Sequence, residues 1–291
     1  MIDLHLHTTC SDGQYTPSEL VAKAKAAGIT AMSITDHDTA KGVPEAQQAA
    51  QEAGIRLISG IEISTTGNRE LHILGYGIQP DHPCLQAFCE EHRRNRAERS
   101  IRLVSYLQEQ GVPITLEEVR RCNDGAATGR PHFAKAIVAA GYAASIQDAF
   151  DRYLTTAAFY ERVERPKPSP EAGMQVILQS GGIPVLAHPC RLKLKQDALR
   201  QLLQRLVAGG LQGMECYYSR NTSEQTQQYL QLAEAFHLLV TCGSDFHGEA
   251  VKPEIQLGTG IAGNLCCADE TLVDRLEAAI AAHRKNWQSS L

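Results

Sequence analysis

The chain is expected to fold as an α/β protein: a distorted (β/α)7 barrel of mostly parallel strands, interrupted by an all-helical insertion domain. Three observations lead there. Short apolar runs alternate with helix-like stretches at both ends of the sequence, the pattern of parallel strands joined by right-handed crossovers. The alternation lapses over residues 85–165, where helices are legible with no convincing strand between them. Imidazole or carboxylate side chains recur at the ends of the apolar runs, and in barrels of this kind function collects at the C-terminal ends of the strands.

The elements follow in order. In Met1-Ile-Asp-Leu-His-Leu-His7, apolar and polar residues alternate with the period of a strand, so His5 and His7 project to one side. Ser11-Asp12-Gly13 is a turn able to swing a carboxylate back over that strand end. Thr16-Pro17-Ser18-Glu19 has the capping-box spacing and a proline suited to the first helical turn, and Gly28 fits the left-handed stop. A strand over 31–36 leads to His37-Asp38; a helix over 43–53 closes on Gly54; a strand over 56–65 carries Glu62. Residues 70–77 form a further strand, hairpin-paired through Gly67-Asn68, and carry His72.

Beyond Pro80 the period changes. A long helix opens at His92 and stops at Gly111, and helices follow over 116–122, 131–140 and 146–154. The proline-rich stretch 166–170 closes this insertion, which divides the chain into a barrel (1–84 and 166–291) and a helical domain (85–165) expected to cover the active site. Alternation resumes with helices over 171–179, 196–208 and 224–236. Each leads to a strand: 184–188 ending in His188, 213–218, and 238–242 running into Gly243-Ser-Asp-Phe-His247.

Composition narrows the class. Of 291 residues, 43% are hydrophobic and 21% charged, an ordinary globular balance, and the net charge of −5 argues against general nucleic-acid coating. No apolar run is long enough to span a bilayer. A first strand beginning at Ile2 leaves no room for a cleaved leader, so a cytoplasmic protein is expected. The nine cysteines, Cys266 among them, form no Cys-x-x-Cys pair and are expected to be free thiols. Cys190 lies near His188, but proximity along the chain is poor support for a nucleophilic dyad.

The chemistry concentrates in His5, His7, Asp12, His37, Glu62, His188, Asp245 and His247, with His72 a weaker member because it sits inside its strand. Any one of them could be a satisfied core residue; all of them at strand ends by coincidence is another matter. Glu62 in the apolar run Ile61-Glu-Ile63 would be costly to bury unpaired. Imidazoles and carboxylates without thiolates favour Mn, Fe or Zn in a hydrolytic site. So many donors exceed the needs of one ion, and two or three divalent metal ions are expected. Asp245 and His247 repeat the spacing of His5 and His7 and would face one way if the backbone there stays extended.

His5-Leu-His7, Ser11-Asp12-Gly13, Thr35-Asp-His37-Asp38, Gly60-Ile-Glu62, Ala187-His-Pro189 and Ser244-Asp-Phe-His247 together resemble the PHP (polymerase and histidinol phosphatase) domain of the amidohydrolase superfamily. The resemblance covers residues 1–80 and 170–265. It implies a distorted seven-stranded barrel holding two or three metals, Mn by preference, and hydrolysing phosphate esters. It further implies His5, His7, Glu62 and Asp245 around one ion, Glu62, His72 and His188 around a second, and Asp12, His37 and His247 around a third. The insertion with Gly129-Arg-Pro-His132 resembles the branch acting on nucleoside 3′,5′-bisphosphates, which also includes 5′→3′ exoribonucleases on short 5′-phosphorylated RNA. Cys190 departs from the pattern, in which relatives commonly carry a small residue such as glycine.

From the residues themselves, Arg130 and His132 at a helix start suit a phosphate. Arg191, three residues past His188, and more weakly Arg220, are further phosphate candidates, each with a surface salt bridge as the plainer alternative. The basic run Arg93, Arg94, Arg96 and Arg99 reads as a solvated helix face. Asp245 is the candidate for orienting or deprotonating the attacking water. The resemblance selects a nucleotide bisphosphate losing its 3′-phosphate. The rivals are the same chemistry on an RNA diester and a non-catalytic metal module like that of some polymerases. The expected partner is a small nucleotide or short RNA, with no membrane and no stable DNA partner.

Overall fold

Alternation in the first six residues produces a fully buried strand, β1 (Ile2–Leu6), with Ile2, Leu4 and Leu6 in the core. In this computed structural model, which describes residues 1–68, 70–122, 129–265 and 267–288, seven strands form one sheet in the order β1 to β7. After β1 come α1 (Pro17–Ala26), β2 (Ala31–Ile34), α2 (Val43–Ala53), β3 (Arg56–Ser64) and β4 (His72–Tyr76). The Thr16–Glu19 capping box forms as read, Pro17 sits in the first turn, and Gly28 and Gly54 take positive φ beyond the ends of α1 and α2.

Helix α3 (Pro83–Glu109) begins nine residues before the expected start at His92. Pro83 is suited to a first helical turn, and Leu85 and Phe88 are buried among barrel residues, which supplies the reason for the early start. The insertion continues with α4 (Leu116–Arg121), α5 (Arg130–Ala139), α6 (Ile146–Ala149), a π-helical turn over Phe150–Leu154, and α7 (Ala157–Arg162). The chain then forms α8 (Pro170–Gln179), β5 (Ile183–Leu186), a 3₁₀ turn (Pro189–Leu192), α9 (Gln196–Ala208), β6 (Gly213–Tyr218), α10 (Ser223–Ala235), β7 (Leu239–Gly243) and α11 (Thr271–Gln288). Helices α7 and α11 lie outside the elements expected from sequence.

Strands β1, β2 and β3 are parallel, as are β5, β6 and β7; β4 runs antiparallel to both of its neighbours. The short loop after β3 dictates this, since a parallel return would need a crossover of a dozen residues or more. A parallel bridge between Leu6 and Phe246 joins the last strand's exit to the first strand's, so the sheet nearly closes into a barrel. The barrel wall is apolar, with Leu4, Leu74, Tyr76, Val185 and Cys242 in one buried cluster. Each leucine or valine among them contributes about 1.5–3 kcal/mol by burial.

Two compact units result: residues 1–89 with 167–291, and residues 90–166. The second has its own core, in which Leu103, Phe133, Ile137, Leu154 and Phe159 are fully buried. Among the described residues no helix is long and apolar enough to cross a membrane. The eight described cysteines are free thiols; Cys266 lies outside the described residues.

Candidate metal centre

Every strand end on one rim of the barrel delivers a polar side chain. His5 in β1 and His7, one residue past its end, lie with ring centroids 5.2 Å apart, both buried. The chain then turns sharply, and Asp36 fixes the turn by accepting from the Thr8 N–H (2.8 Å) and the Thr8 and Ser11 hydroxyls. Gly13 packs so close to the His7 carbonyl that a Cβ would lie 2.3 Å from its oxygen. The turn places Asp12 at 3.7 Å from His7, 3.4 Å from His247 and 3.9 Å from His37.

Glu62 is the hub. It sits in β3 at 1% exposure, with its Oε1 2.8 Å from both His72 Nδ1 and His188 Nε2. Its Oε2 faces His37 at 2.9 Å, His7 at 3.3 Å and His5 at 3.4 Å. His72, expected to be the weakest member, is therefore drawn in, because β4 runs antiparallel beside β3 and turns its first residue toward Glu62.

Backbone strain gathers here as well. Among the described non-glycine residues with positive φ are Asp38, His188 and Asp245, each just past a strand end. Such conformations cost of order 1–3 kcal/mol each and persist where the surroundings over-determine them. Asp245 corrects one expectation: the backbone is not extended at this residue. At φ 59° it takes the left-handed region, yet Asp245 Oδ1 still lies 3.4 Å from His247 Nδ1, 3.4 Å from His7 and 3.8 Å from His5.

The electrostatics reflect this crowding. Burial alone would raise the Glu62 carboxyl, but the imidazoles of His37, His72 and His5 hold it well below the usual carboxylate range. Asp245 is likewise held low against burial, by Lys252 and His247. Burial disfavours protonated His5, yet Glu215 and Glu62 raise it well above a free imidazole; Asp245 and Glu62 raise His7 to about 9 in the same way. Burial takes His188 and His247 down to about 4.

The donors fit divalent cations. His5 Nε2, His7 Nε2, Asp12 Oδ1, Glu62 Oε2 and His188 Nδ1 are buried and make no hydrogen bond among the described residues. Four overlapping groups have their ligand atoms within 4.8 Å of one another: His7, Asp12, His37 and His247; His5, His7 and Asp245; His5, Glu62 and His188; His37, Glu62 and His72. Two donors each about 2.1 Å from one ion stand roughly 3–3.5 Å apart, the spacing that separates Glu62 Oε2 from His7 and His5 at 3.3 and 3.4 Å. These groups overlap the three sets implied by resemblance without coinciding with them: His7 joins the Asp12 group, and His72 groups with His37.

The PHP domain profile matches residues 3–119. A Haemophilus influenzae 5′-3′ exoribonuclease is 36% identical over 84% of this chain and 89% of its own length. The chain belongs to the PHP domain family. A Chromobacterium violaceum 3′,5′-nucleoside bisphosphate phosphatase is 32% identical over 84% of this chain and 87% of its own. A solved Bifidobacterium adolescentis structure, provisionally described as a metal-dependent phosphoesterase, superposes with a TM-score of 0.79 at 33% identity, covering 95% of each chain.

Around the PHP donors stand residues the sequence reading missed. Glu215, buried in β6, accepts from His188 N–H at 2.7 Å and lies 2.9 Å from His5 Nδ1. It thereby aims His5 Nε2 at the hub, the usual work of a carboxylate behind a metal-binding imidazole. Gly243 makes room for this pair: a Cβ there would fall 2.1 Å from His5 Cβ and 2.7 Å from Glu215 Oε1. Asp3, fully buried, accepts from Ser244, Gly258 and His5 N–H groups and pins the loop that carries Asp245. Glu215 carried the same signal as Glu62, a carboxylate inside the apolar run Gly-Met-Glu-Cys-Tyr.

The phosphate candidates divide. Arg191 joins the site: its Nη1 is 3.5 Å from Asp245 Oδ2 and its Nε 2.6 Å from Glu70. Arg220 pairs with Glu254 at an exposed position. Arg130 and His132 belong to the second unit, where they open α5; His132 Nδ1 accepts from Gly129 N–H at 2.9 Å and Arg130 donates to the Tyr160 hydroxyl at 3.2 Å. Arg99, expected on a solvated face, is instead 7% exposed, and Arg165 is 5% exposed.

Proposed function

We propose that this PHP protein is a metal-dependent phosphoesterase that removes the 3′-phosphate of nucleoside 3′,5′-bisphosphates, giving the nucleoside 5′-monophosphate and phosphate. The convergence of five imidazoles on the Glu62 carboxylate at the barrel rim carries this reading, supported by family membership and by the phosphatase relative. His5, His7, Asp12, His37, Glu62, His72, His188, Asp245 and His247 would hold two or three divalent ions, Mn being the first choice, with Fe or Zn also suited to a set of imidazoles and carboxylates. Bound ions of this kind activate water near neutral pH and stabilise attacking and leaving oxygens.

The chain's own residues supply the remainder. Glu215 and Asp3 hold His5 and the 244–247 loop in place before substrate arrives, so little reorganisation is needed at reaction. Asp245 is assigned to orienting the attacking water. Arg191, at the Asp245 edge, is assigned to the non-bridging oxygens of the reacting phosphate. The guanidiniums of the second unit, Arg130 foremost, with His132, are assigned to a further phosphate of the substrate. Arg220, engaged with Glu254, is the least favoured of the phosphate ligands.

A second reading is favoured by the exoribonuclease relative: the same chemistry on a diester, releasing nucleotides from the 5′ end of short RNA. Turnover of adenosine 3′,5′-bisphosphate and of a 5′-phosphorylated dinucleotide by the Mn-supplemented protein separates the two. The bisphosphate is expected to have the higher kcat/KM. A predominant dinucleotide rate moves the assignment to the exoribonuclease, and hydrolysis of neither refutes the phosphoesterase reading.

A further inference from the structure

The two oxygens of Asp245 face different worlds. Oδ1 looks inward to His7, His247 and His5 at 3.4, 3.4 and 3.8 Å. Oδ2 looks outward and meets the Tyr218 hydroxyl at 2.9 Å, the Lys252 ammonium at 2.9 Å and Arg191 Nη1 at 3.5 Å. One carboxylate oxygen thus gathers three donors, two of them full cations. Arg191 shares its charge with Glu70 through its Nε. Lys252 pairs with Asp245 at 2.9 Å, and its charge also bears on Glu254, which itself pairs with Arg220.

Position supports this. The side chains of Lys252 and Arg191 are 21% and 33% exposed while that of Asp245 is 4% exposed, so both cations lie on the solvent side of the buried acid. An ammonium carries three donor hydrogens and a guanidinium five, and the contacts to Asp245 and Glu70 use one of the first and two of the second. Lys252 is held nearby by its own backbone, whose N–H donates to Gly248 at 2.9 Å in the loop that follows His247.

We infer that Lys252, with Arg191 and Tyr218, forms a phosphoryl-binding edge that selects a terminal phosphate monoester over a phosphodiester. The inference rests on the phosphoesterase reading and deepens it. A terminal monoester is a dianion at neutral pH, with three non-bridging oxygens to share among these donors. A diester is a monoanion with two, and its second ester group must fit where the donors stand. An added cation therefore favours the monoester, by charge and by hydrogen-bond count.

The test uses the full chain loaded with Mn, as wild type, Lys252→Met and Lys252→Arg. Three quantities are read: kcat/KM for adenosine 3′,5′-bisphosphate and for a 5′-phosphorylated dinucleotide, Mn bound per chain, and the affinity for inorganic phosphate by calorimetry. Loss of one charge-assisted contact predicts that Lys252→Met lowers monoester kcat/KM by about 10–100-fold. Diester turnover should fall by no more than a few-fold, Mn content should stay unchanged, and phosphate affinity should weaken by about tenfold. Lys252→Arg, which keeps the charge, should recover most of the monoester rate. Equal losses on both substrates, loss of Mn, or unchanged phosphate affinity overturns the inference. If the wild type hydrolyses neither ester, the phosphoesterase reading fails by itself, and the phosphate arm still decides whether Lys252 holds an anion.

Discussion

The barrel rim and the helical insertion bury charge in opposite ways. At the rim, Glu62, Asp245 and Asp12 interleave with imidazoles, and the carboxylates hold His5 and His7 above the range of a free imidazole. In the insertion, Arg99 is buried near the guanidiniums of Arg96, Arg165 and Arg130; burial first, then these like charges, lowers it to about 9. One region is organised to receive cations and the other concentrates positive charge.

The most severe way to break this contrast is to remove the hub. Glu62→Gln takes the charge from the carboxylate that five imidazoles share, and kcat/KM should fall by about a thousandfold or more, with metal lost from the purified protein. Elemental analysis beside steady-state kinetics checks both. Retention of full metal and rate would mean that the hub is structural.

Glu215→Gln tests the next layer. It keeps shape but weakens the acceptor behind His5 Nδ1, and metal affinity should drop by about 10–100-fold. Competition with a fluorescent chelator reads this directly, and an unchanged affinity would remove Glu215 from the site.

These residues also show how far the sequence could be read. His5, His7 and Glu62 were legible because a strand's two-residue period and an acid in an apolar run each carry a physical expectation. Glu215 bears the same mark as Glu62, an acid in an apolar run, but lies in none of the motifs that carry the family resemblance. Lys252 lies in a loop whose path follows from Asp3 and the left-handed turn at Asp245, and no local pattern encodes that path. Arg99 falls in a run of arginines typical of a solvated helix face, and only tertiary packing reveals that it is buried.

Arg130→Met sharpens the contrast from the other side. It should raise KM for the bisphosphate by about tenfold and leave metal content untouched, since loss of a charged hydrogen bond costs about 1.5–3 kcal/mol. A change in bound metal would dissolve the distinction between the two regions.

The smallest effect expected is on protons. Asp245 and Glu62, acting against burial, raise His7 to about 9, so a cation bound through His7 is expected to displace a proton near neutral pH. Metal uptake should therefore release protons, and apparent affinity should climb with pH until about 9. Calorimetry in buffers of differing ionisation enthalpy measures the release; proton uptake would reverse the sign and contradict the assignment.

The central claim is that acids and imidazoles from distant parts of the chain share cations at one barrel rim. Diffraction from Mn-soaked crystals, recorded on both sides of the Mn absorption edge, tests it most directly. Two or three anomalous peaks are predicted within coordination distance of Glu62, His5, His188 and Asp12. A map with bound Mn elsewhere and none among these donors would contradict the account.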